Sequence, residues 1–292
     1  MDPGVAGGLV AAGTTAFRLA WGGGCEVQRF ATSALVSARS EDEAGGLARE
    51  MAAWCGRSGW APARVFRRIL VRGPGGNDTP ALIGGEAGAS PRELVSESGL
   101  AFEVDFSASY SPGLFCDQRA NRDFLRHLGP SRVLNTFAYT CAFSVAAAAS
   151  GAQTVSVDIS KSSLQRGRRN FELNGIGTAG HRFVTEDVPT YLARLARRGE
   201  QFDAIILDPP TFGRGRGKRT FRVGRDLPDL VRAALAVAAP GARILLSTNF
   251  QEWSRNDLRE FVPRGTRIES VTPGPDFLEC PSSVSVWAGP LD

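Results

Sequence analysis

Residues 132–158 read RVLNTFAYTCAFSVAAAASGAQTVSVD, and this stretch decides the fold. Arg132–Asn135 is a short strand-like apolar run, Ala142–Ser150 an alanine-rich helical stretch, and Thr154–Asp158 a second strand-like run. A strand–helix–strand unit of this length predicts two parallel strands joined by a crossover helix.

The same alternation continues downstream. Phe183–Thr185, Ala204–Asp208 and Arg243–Thr248 read as strands, and Ser160–Leu173, Val188–Arg198 and Leu227–Ala239 as helices. Repeated alternation implies a parallel sheet covered by helices on both faces. Right-handed crossovers then bring the carboxyl ends of the strands to one rim, where open α/β sheets bind their ligands.

Upstream the character differs. Residues 1–100 are rich in glycine and alanine, with short strand-like runs at Ala16–Ala20 and Val65–Arg72 and turn clusters at Gly22–Gly24 and Gly73–Pro80. One helix is expected over Asp42–Trp54, where Leu47, Met51 and Trp54 recur at helical spacing as core residues. The expected organisation is a small α+β accessory or substrate-positioning domain over 1–105, followed by an α/β domain over 106–292.

Composition narrows the classes. At 292 residues, 42% hydrophobic and 22% charged, the chain is long enough for two globular domains and too apolar for a disordered one. Five scattered cysteines without a CxxC pair argue against a disulfide framework and a structural zinc site, and no metal is expected. The first twenty residues lack a secretory pattern and no apolar run is long enough to span a bilayer, so the expectation is a cytoplasmic protein without a membrane. The net charge of +4 is small, but only Lys161 and Lys218 among the 34 basic residues are lysines. Arginine is the side chain that forks onto phosphates and stacks on bases.

The rim residues carry the chemistry. The first strand runs into Asn135-Thr-Phe-Ala-Tyr-Thr-Cys141, a turn without glycine, which excludes the G-x-G-x-x-G dinucleotide fingerprint. The second strand ends in Asp158, whose carboxylate is suited to accept bonds from two ribose hydroxyls or, alternatively, to cap the next helix. Glu186-Asp187 end the third strand, and Asp187 has the same two readings, with an adenine amino group as its ligand. The fourth strand ends in Asp208-Pro-Pro-Thr-Phe212. Its prolines fix an extended turn, so Asp208 faces the cleft and Phe212 stands where a ring can stack on a base, unless it is simply buried.

With these motifs in order, residues 110–292 resemble class I S-adenosylmethionine-dependent methyltransferases, specifically the large-subunit ribosomal RNA group. The matching stretches are Gly113-Leu-Phe-Cys-Asp-Gln-Arg-Ala-Asn-Arg122, Asn135–Thr140, Val157–Lys161, Asn170-Phe-Glu-Leu-Asn-Gly175 and Leu207–Phe212. Thr15–Arg18 and Glu97–Phe102 resemble parts of the small domain that precedes the fold in this group. The resemblance implies a Rossmann-like seven-stranded sheet of order 3-2-1-4-5-7-6 with an antiparallel last strand, and S-adenosyl-L-methionine as cofactor. It also implies that Asn135, Phe137, Tyr139 and Thr140 pass beneath the methionine part. Asp158 with Ile159 and Ser160 would hold the ribose side, Asp187 would read the adenine, and Gln118 and Arg119 would close the site. Cys141 stands where many relatives have glycine.

The resemblance bears on the methylated atom as well. In the 5-methylcytosine branch a nucleophilic cysteine follows the fifth strand, and here that strand reads Ile244-Leu-Leu-Ser-Thr-Asn-Phe250 without one. The combination looks most like the guanine-N7 methyltransferase domain of bifunctional rRNA enzymes. A guanine nitrogen in rRNA is the expected target, with Asp208 holding a base edge, Phe212 stacking and Asn249 orienting the rim. The alternatives are a 5-methylcytosine enzyme, a catalytically silent RNA-binding module, and a small-molecule or protein methyltransferase. Arg214, Arg216, Lys218 and Arg219, interleaved with glycines, make the expected RNA-phosphate loop, followed by Arg222 and Arg225. Lys161, Arg166, Arg168 and Arg169 read as a second basic cluster, on the exposed side of a helix whose Leu164 and Phe171 face the core.

Overall fold

The computed structural model describes residues 1–70, 79–214, 220–250 and 252–291. The chain forms two compact units, Met1–Arg119 with Pro273–Cys280, and Ala120–Thr272 with Pro281–Asp292. The division falls at Ala120 instead of 106, and one late segment returns to the first unit.

The first unit opens with α1 (Pro3–Ala11), whose glycine-rich sequence carries no apolar period and which is set by its ends. Asp2 Oδ1 accepts from the amides of Gly4 and Val5, and Pro3 starts the helix at its first position. Then follow β1 (Ala16–Gly22), β2 (Cys25–Phe30), β3 (Ser33–Ala38), α2 (Glu41–Ser58), β4 (Arg64–Ile69) and β5 (Ala81–Gly85), the strands forming one sheet in the order β1-β2-β3-β4-β5. Helix α2 extends the expected Asp42–Trp54 at both ends. Ser40 caps it, Glu41, Asp42 and Glu43 complement the dipole, and Gly59 ends it at φ 70°. Leu47, Met51 and Trp54 pack in the core of this unit, as their spacing predicts, together with Ala44. A hairpin of β6 (Arg92–Glu97) and β7 (Leu100–Asp105) completes the unit. Most of the expected Gly73–Pro80 turn lies outside the described residues.

The returning segment is held by a buried charge cluster. Asp276, 0% exposed, pairs through Oδ1 with Arg119, and its backbone carbonyl accepts from Arg18 Nε at 3.0 Å and Nη2 at 2.9 Å. The Arg18 guanidinium also lies 4.0 Å from the centroid of Phe277. Gly274 permits this closeness, because a Cβ there would meet Arg119 Nη2 at 2.3 Å.

The second unit takes up α3 (Arg119–Leu128), then β8 (Arg132–Thr136), α4 (Ala142–Ala148), β9 (Gln153–Asp158), α5 (Lys161–Leu173), β10 (Arg182–Thr185), α6 (Val188–Arg197) and β11 (Phe202–Leu207). After a short hairpin, β12 (Phe212–Arg214) and β13 (Thr220–Arg222), come α7 (Val223–Leu235), β14 (Ala238–Thr248), α8 (Arg255–Arg259), β15 (Ile268–Glu269) and β16 (Val284–Ala288). The seven-stranded sheet has the order β10-β9-β8-β11-β14-β16-β15, which is 3-2-1-4-5-7-6 counted from its own first strand. β16 runs antiparallel to both neighbours and the other pairings are parallel. Strand alternation divides the core: Leu134, Ile205, Leu207 and Ile244 pack with α6 and α7, whereas Val133, Ala204, Ile206 and Leu245 pack with α3 and α4. No helix of the described residues is long and apolar enough to cross a membrane.

Removing the Asp276 carboxylate leaves buried guanidinium without its partner. Asp276→Ala is expected to lose about 3–5 kcal/mol of unfolding free energy in urea titrations; a loss under about 1 kcal/mol would show that the cluster does not hold the segment.

Candidate active site

The pairing register fixes the rim. Thr136 is level with Val157 on one side and Leu207 on the other, and Leu207 is level with Leu246. Phe137, Asp158, Asp208 and Ser247 are therefore the first residues beyond one row of paired strand positions.

The loop after β8 has an unusual backbone. Phe137, Tyr139 and Cys141 adopt φ of 52°, 47° and 62°, the left-handed region in which a side chain costs roughly 1–2 kcal/mol per residue. Such a conformation persists only where surroundings over-determine it. Here the Tyr139 amide donates to Asp158 Oδ2 at 2.8 Å, the Ala138 amide to the Val157 carbonyl at 3.0 Å, and the Cys141 amide to the Ala138 carbonyl at 2.7 Å. From α5, fully buried Asn170 donates through Nδ2 to the Thr140 carbonyl at 2.9 Å. A Cβ built on Gly167 would stand 2.3 Å from Cys141 Sγ, so a glycine one helix away accommodates the side chain at 141.

Asn135 and Thr136 serve this scaffold. Asn135 Nδ2 donates to Ser144 Oγ at 2.9 Å, and Ser144 Oγ lies 2.8 Å from Ser156 Oγ, linking β8, α4 and β9. Thr136 Oγ1 donates to the Ile206 carbonyl at 2.6 Å. Burial pushes the Cys141 thiol up to about 12, which keeps it a packing group and not a thiolate nucleophile.

Asp158 is not the cap of α5. Ser160 takes that place, its Oγ accepting from the Ser163 amide at 3.2 Å. Asp158 uses Oδ1 for the Ser160 amide at 2.8 Å and Oδ2 for the Tyr139 amide. Each carboxylate oxygen can accept twice, so acceptor capacity remains at the rim. Burial raises its pKa above the ordinary aspartate value, opposed by bonds from the Ser160, Tyr139 and Ile159 amides. Ile159 beside it is 48% exposed, a large apolar side chain on the rim. Asp187, by contrast, is the N-cap of α6, its Oδ2 accepting from the amide and hydroxyl of Thr190 at 3.3 and 2.9 Å.

Beyond Asp208 and the prolines, the Thr211 carbonyl accepts from the Val223 amide at 3.2 Å and its hydroxyl donates to Asn249 Oδ1. Phe212 and Arg222 pair at the base of the β12–β13 hairpin, and the Phe221 ring on the return strand lies 5.6 Å from that of Phe137. The hairpin base thus packs against the left-handed loop.

Other expectations resolve differently. The ring of Phe212, the side chain of Arg214, and Arg216, Lys218 and Arg219 lie outside the described residues. Arg166 is buried, not on the exposed side of α5. That helix packs on the sheet through Leu164 and Phe171 and on the loop through Gly167 and Asn170, so its buried arc is wide enough to include 166. Arg168 remains exposed with its guanidinium over Phe183. Arg225 donates from both Nε and Nη2 to the carboxylate of its neighbour Asp226. Gln118 is buried in a 3-10 turn at Cys116–Gln118, and Arg119 is committed to Asp276 and the Ala16 carbonyl.

Thr211, Gly167, Asn170 and Phe221 carry parts of this site that sequence reasoning did not assign. The i, i+2, i+4 spacing of Phe137, Tyr139 and Cys141 was the available signal, but three side chains where glycines would fit conceal it.

Residues 35–268 match the profile of the family described as S-adenosylmethionine-dependent methyltransferase. The chain belongs to that family. The ribosomal RNA large subunit methyltransferase K of Neisseria meningitidis is 31% identical over 241 residues, which span 82% of this chain and 66% of that protein. The methyltransferase K/L of a Psychrobacter species is 38% identical over 189 residues, 63% of this chain and 23% of its own length. The chain therefore spans less than two thirds of these relatives. Among solved structures, SMU.776 in complex with SAH is similar at a TM-score of 0.79 and 26% identity, over 95% of this chain and 76% of that one.

The methyltransferase loop yields a direct test of its scaffold. Gly167→Ala is expected to destabilise the protein and weaken SAH binding, because the new methyl group meets Cys141. Adding Cys141→Gly should restore both, seen as a strongly non-additive double-mutant cycle in thermal melts and calorimetry. Additive losses would mean that the two positions do not share this space.

Proposed function

We propose that this methyltransferase modifies a base in RNA, a guanine nitrogen of ribosomal RNA, with S-adenosyl-L-methionine as methyl donor. The observation that carries the reading is the placement, on one rim, of an incompletely used carboxylate at Asp158 and the Asp208-Pro-Pro-Thr turn with its hairpin. Adenosine fits the first part. In this reading the remaining lone pairs of Asp158 accept from the ribose hydroxyls, Ile159 lies against the adenine, and Asp187 borders the adenine edge. The backbone of residues 137–140 runs beneath the methionine portion. The bound cofactor supplies an electrophilic methyl on sulfonium.

The rest of the reaction falls to the chain's own residues. A guanine ring nitrogen such as N7 carries a lone pair and no proton, so the protein needs to position it and exclude water, without a general base. Asp208 would hold the base edge and Phe212 stack on its face. The arginine-rich residues 214–219 would follow the phosphates, which predicts strong salt dependence of binding. The rRNA large-subunit relatives support an RNA substrate, and the absence of an available thiolate at Cys141 speaks against a 5-methylcytosine route through that residue.

Asp158→Ala should weaken S-adenosylmethionine binding by about a hundredfold in calorimetry, the equivalent of two bonds to a charged acceptor at ~1.5 kcal/mol each. Because the ionised carboxylate is the acceptor and burial raises its pKa, affinity should fall on acidification at a pH above the ordinary aspartate range. An affinity flat across that range would overturn the ribose assignment.

Phe212→Ala should retain cofactor binding and lose methylation of large-subunit RNA by at least about tenfold, consistent with the loss of base stacking. Undiminished RNA methylation in this variant would remove the stacking role, and methyl mapping of rRNA from cells with and without the gene tests the substrate class.

A further inference from the structure

Asn249 stands immediately beyond β14, exposed on the rim, and is fixed from two sides. Its backbone follows Thr248, which is 0% exposed and whose Oγ1 accepts from the Phe250 amide at 3.1 Å. Its side-chain Oδ1 accepts from the Thr211 hydroxyl. Thr211 is itself anchored, behind Pro209 and Pro210 and through its carbonyl to the Val223 amide. The bond therefore ties the end of β14 to the turn after β11, the neighbouring strand of the sheet.

The direction of that bond has a chemical consequence. A primary amide carries its oxygen and its NH2 on separate branches of one plane. With Oδ1 engaged by Thr211 of the Asp208 turn, the other branch, left for a ligand at the exposed rim, is the Nδ2 group, which offers N–H donors and no acceptor.

Base edges differ in what they ask of such a group. The major-groove edge of guanine presents two acceptors, N7 and O6, whereas adenine pairs its N7 with an amino donor and cytosine presents an amino donor. An exocyclic amine as methyl acceptor would call for a rim acceptor to receive its N–H. A donor at Asn249 matches O6 of guanine and opposes the amino groups of adenine and cytosine.

We propose that Asn249 is a specificity-determining residue, its Nδ2 donating to O6 of the target guanine so that the adjacent N7 is presented for methylation, with Thr211 as the positioning residue that holds the amide in this sense. The proposal rests on the reading of the protein as a methyltransferase acting on an RNA base, and goes beyond it by assigning the edge that is read and the group that reads it.

The test pairs one protein group with one substrate atom. RNA fragments carrying the mapped target nucleotide are prepared with guanine or with 2-aminopurine, which keeps N7 and the 2-amino group and lacks O6. Single-turnover methylation by the full chain is followed, and the product is checked for 7-methylguanine by borohydride–aniline cleavage. The wild type is expected to prefer guanine over 2-aminopurine by at least about tenfold, the size of one good hydrogen bond at this site. Asn249→Ala should bring that ratio close to one, and Asn249→Asp to one or below. The second variant keeps an oxygen for Thr211 and replaces the donors with a charged acceptor that opposes O6. Thr211→Val should lower the ratio and Thr211→Ser restore it. SAH affinity and melting temperature, measured on each variant, separate this loss from unfolding.

An unchanged guanine preference in the Asn249 variants, or a methyl group on another atom, overturns the proposal while leaving the RNA methyltransferase reading in place. No methylation of either RNA by the wild type overturns both.

Discussion

Three residues of the loop after β8 sit in the left-handed region without being glycine, and the surroundings that hold them there organise the rest of the site. The backbone of Phe137, Tyr139 and Cys141 is unfavourable by itself, by a few kcal/mol in total. It is held by an amide bond to Asp158, by Asn170 from α5 and by the space that Gly167 leaves for Cys141. Because β9 and α5 supply these restraints, the loop, the carboxylate and the helix form one mechanical unit. The β12–β13 hairpin joins it through the contact of Phe221 with Phe137.

Asp158 stands at the centre of two opposing demands. Burial disfavours its charge, while the backbone donors around it favour the ionised form that a ribose would need. In the protein alone, a raised pKa means that this group contributes stability below its unfolded-state pKa and loses that contribution as pH rises through the folded value. The buried carboxylate thus weighs against the fold once it is ionised, a pattern usual at functional sites.

Basic residues illustrate why position in a sequence is not position on a surface. Arg166 and Arg225 read as surface cations and Arg119 as a residue closing the site, yet Arg166 is buried in α5, Arg119 is paired with Asp276 and Arg225 with its neighbour Asp226. In each case the deciding surroundings come from packing or from an adjacent acidic residue. Thr211 shows the reverse: a residue between two better-known motif positions becomes important because it bridges adjacent strand ends.

The sequence alone determined the alternation of strands and helices in the second unit, the core face of α2, and the rim positions of Asp158 and Asp208. Those properties follow from local periodicity, and strand ends are where apolar runs stop. The same local information placed Asp187 between two readings, capping and adenine recognition, and the observed Thr190 bonds supply the first. Only the tertiary structure decided the left-handed loop, since bulky side chains at 137, 139 and 141 are tolerated by contacts from distant elements. It alone returned residues 273–280 to the first unit, through an ion pair between Arg119 and Asp276 that no neighbouring sequence announces. It alone set the sense of the Asn249 amide, because a hydrogen bond across adjacent strand ends depends on register, which no single segment specifies.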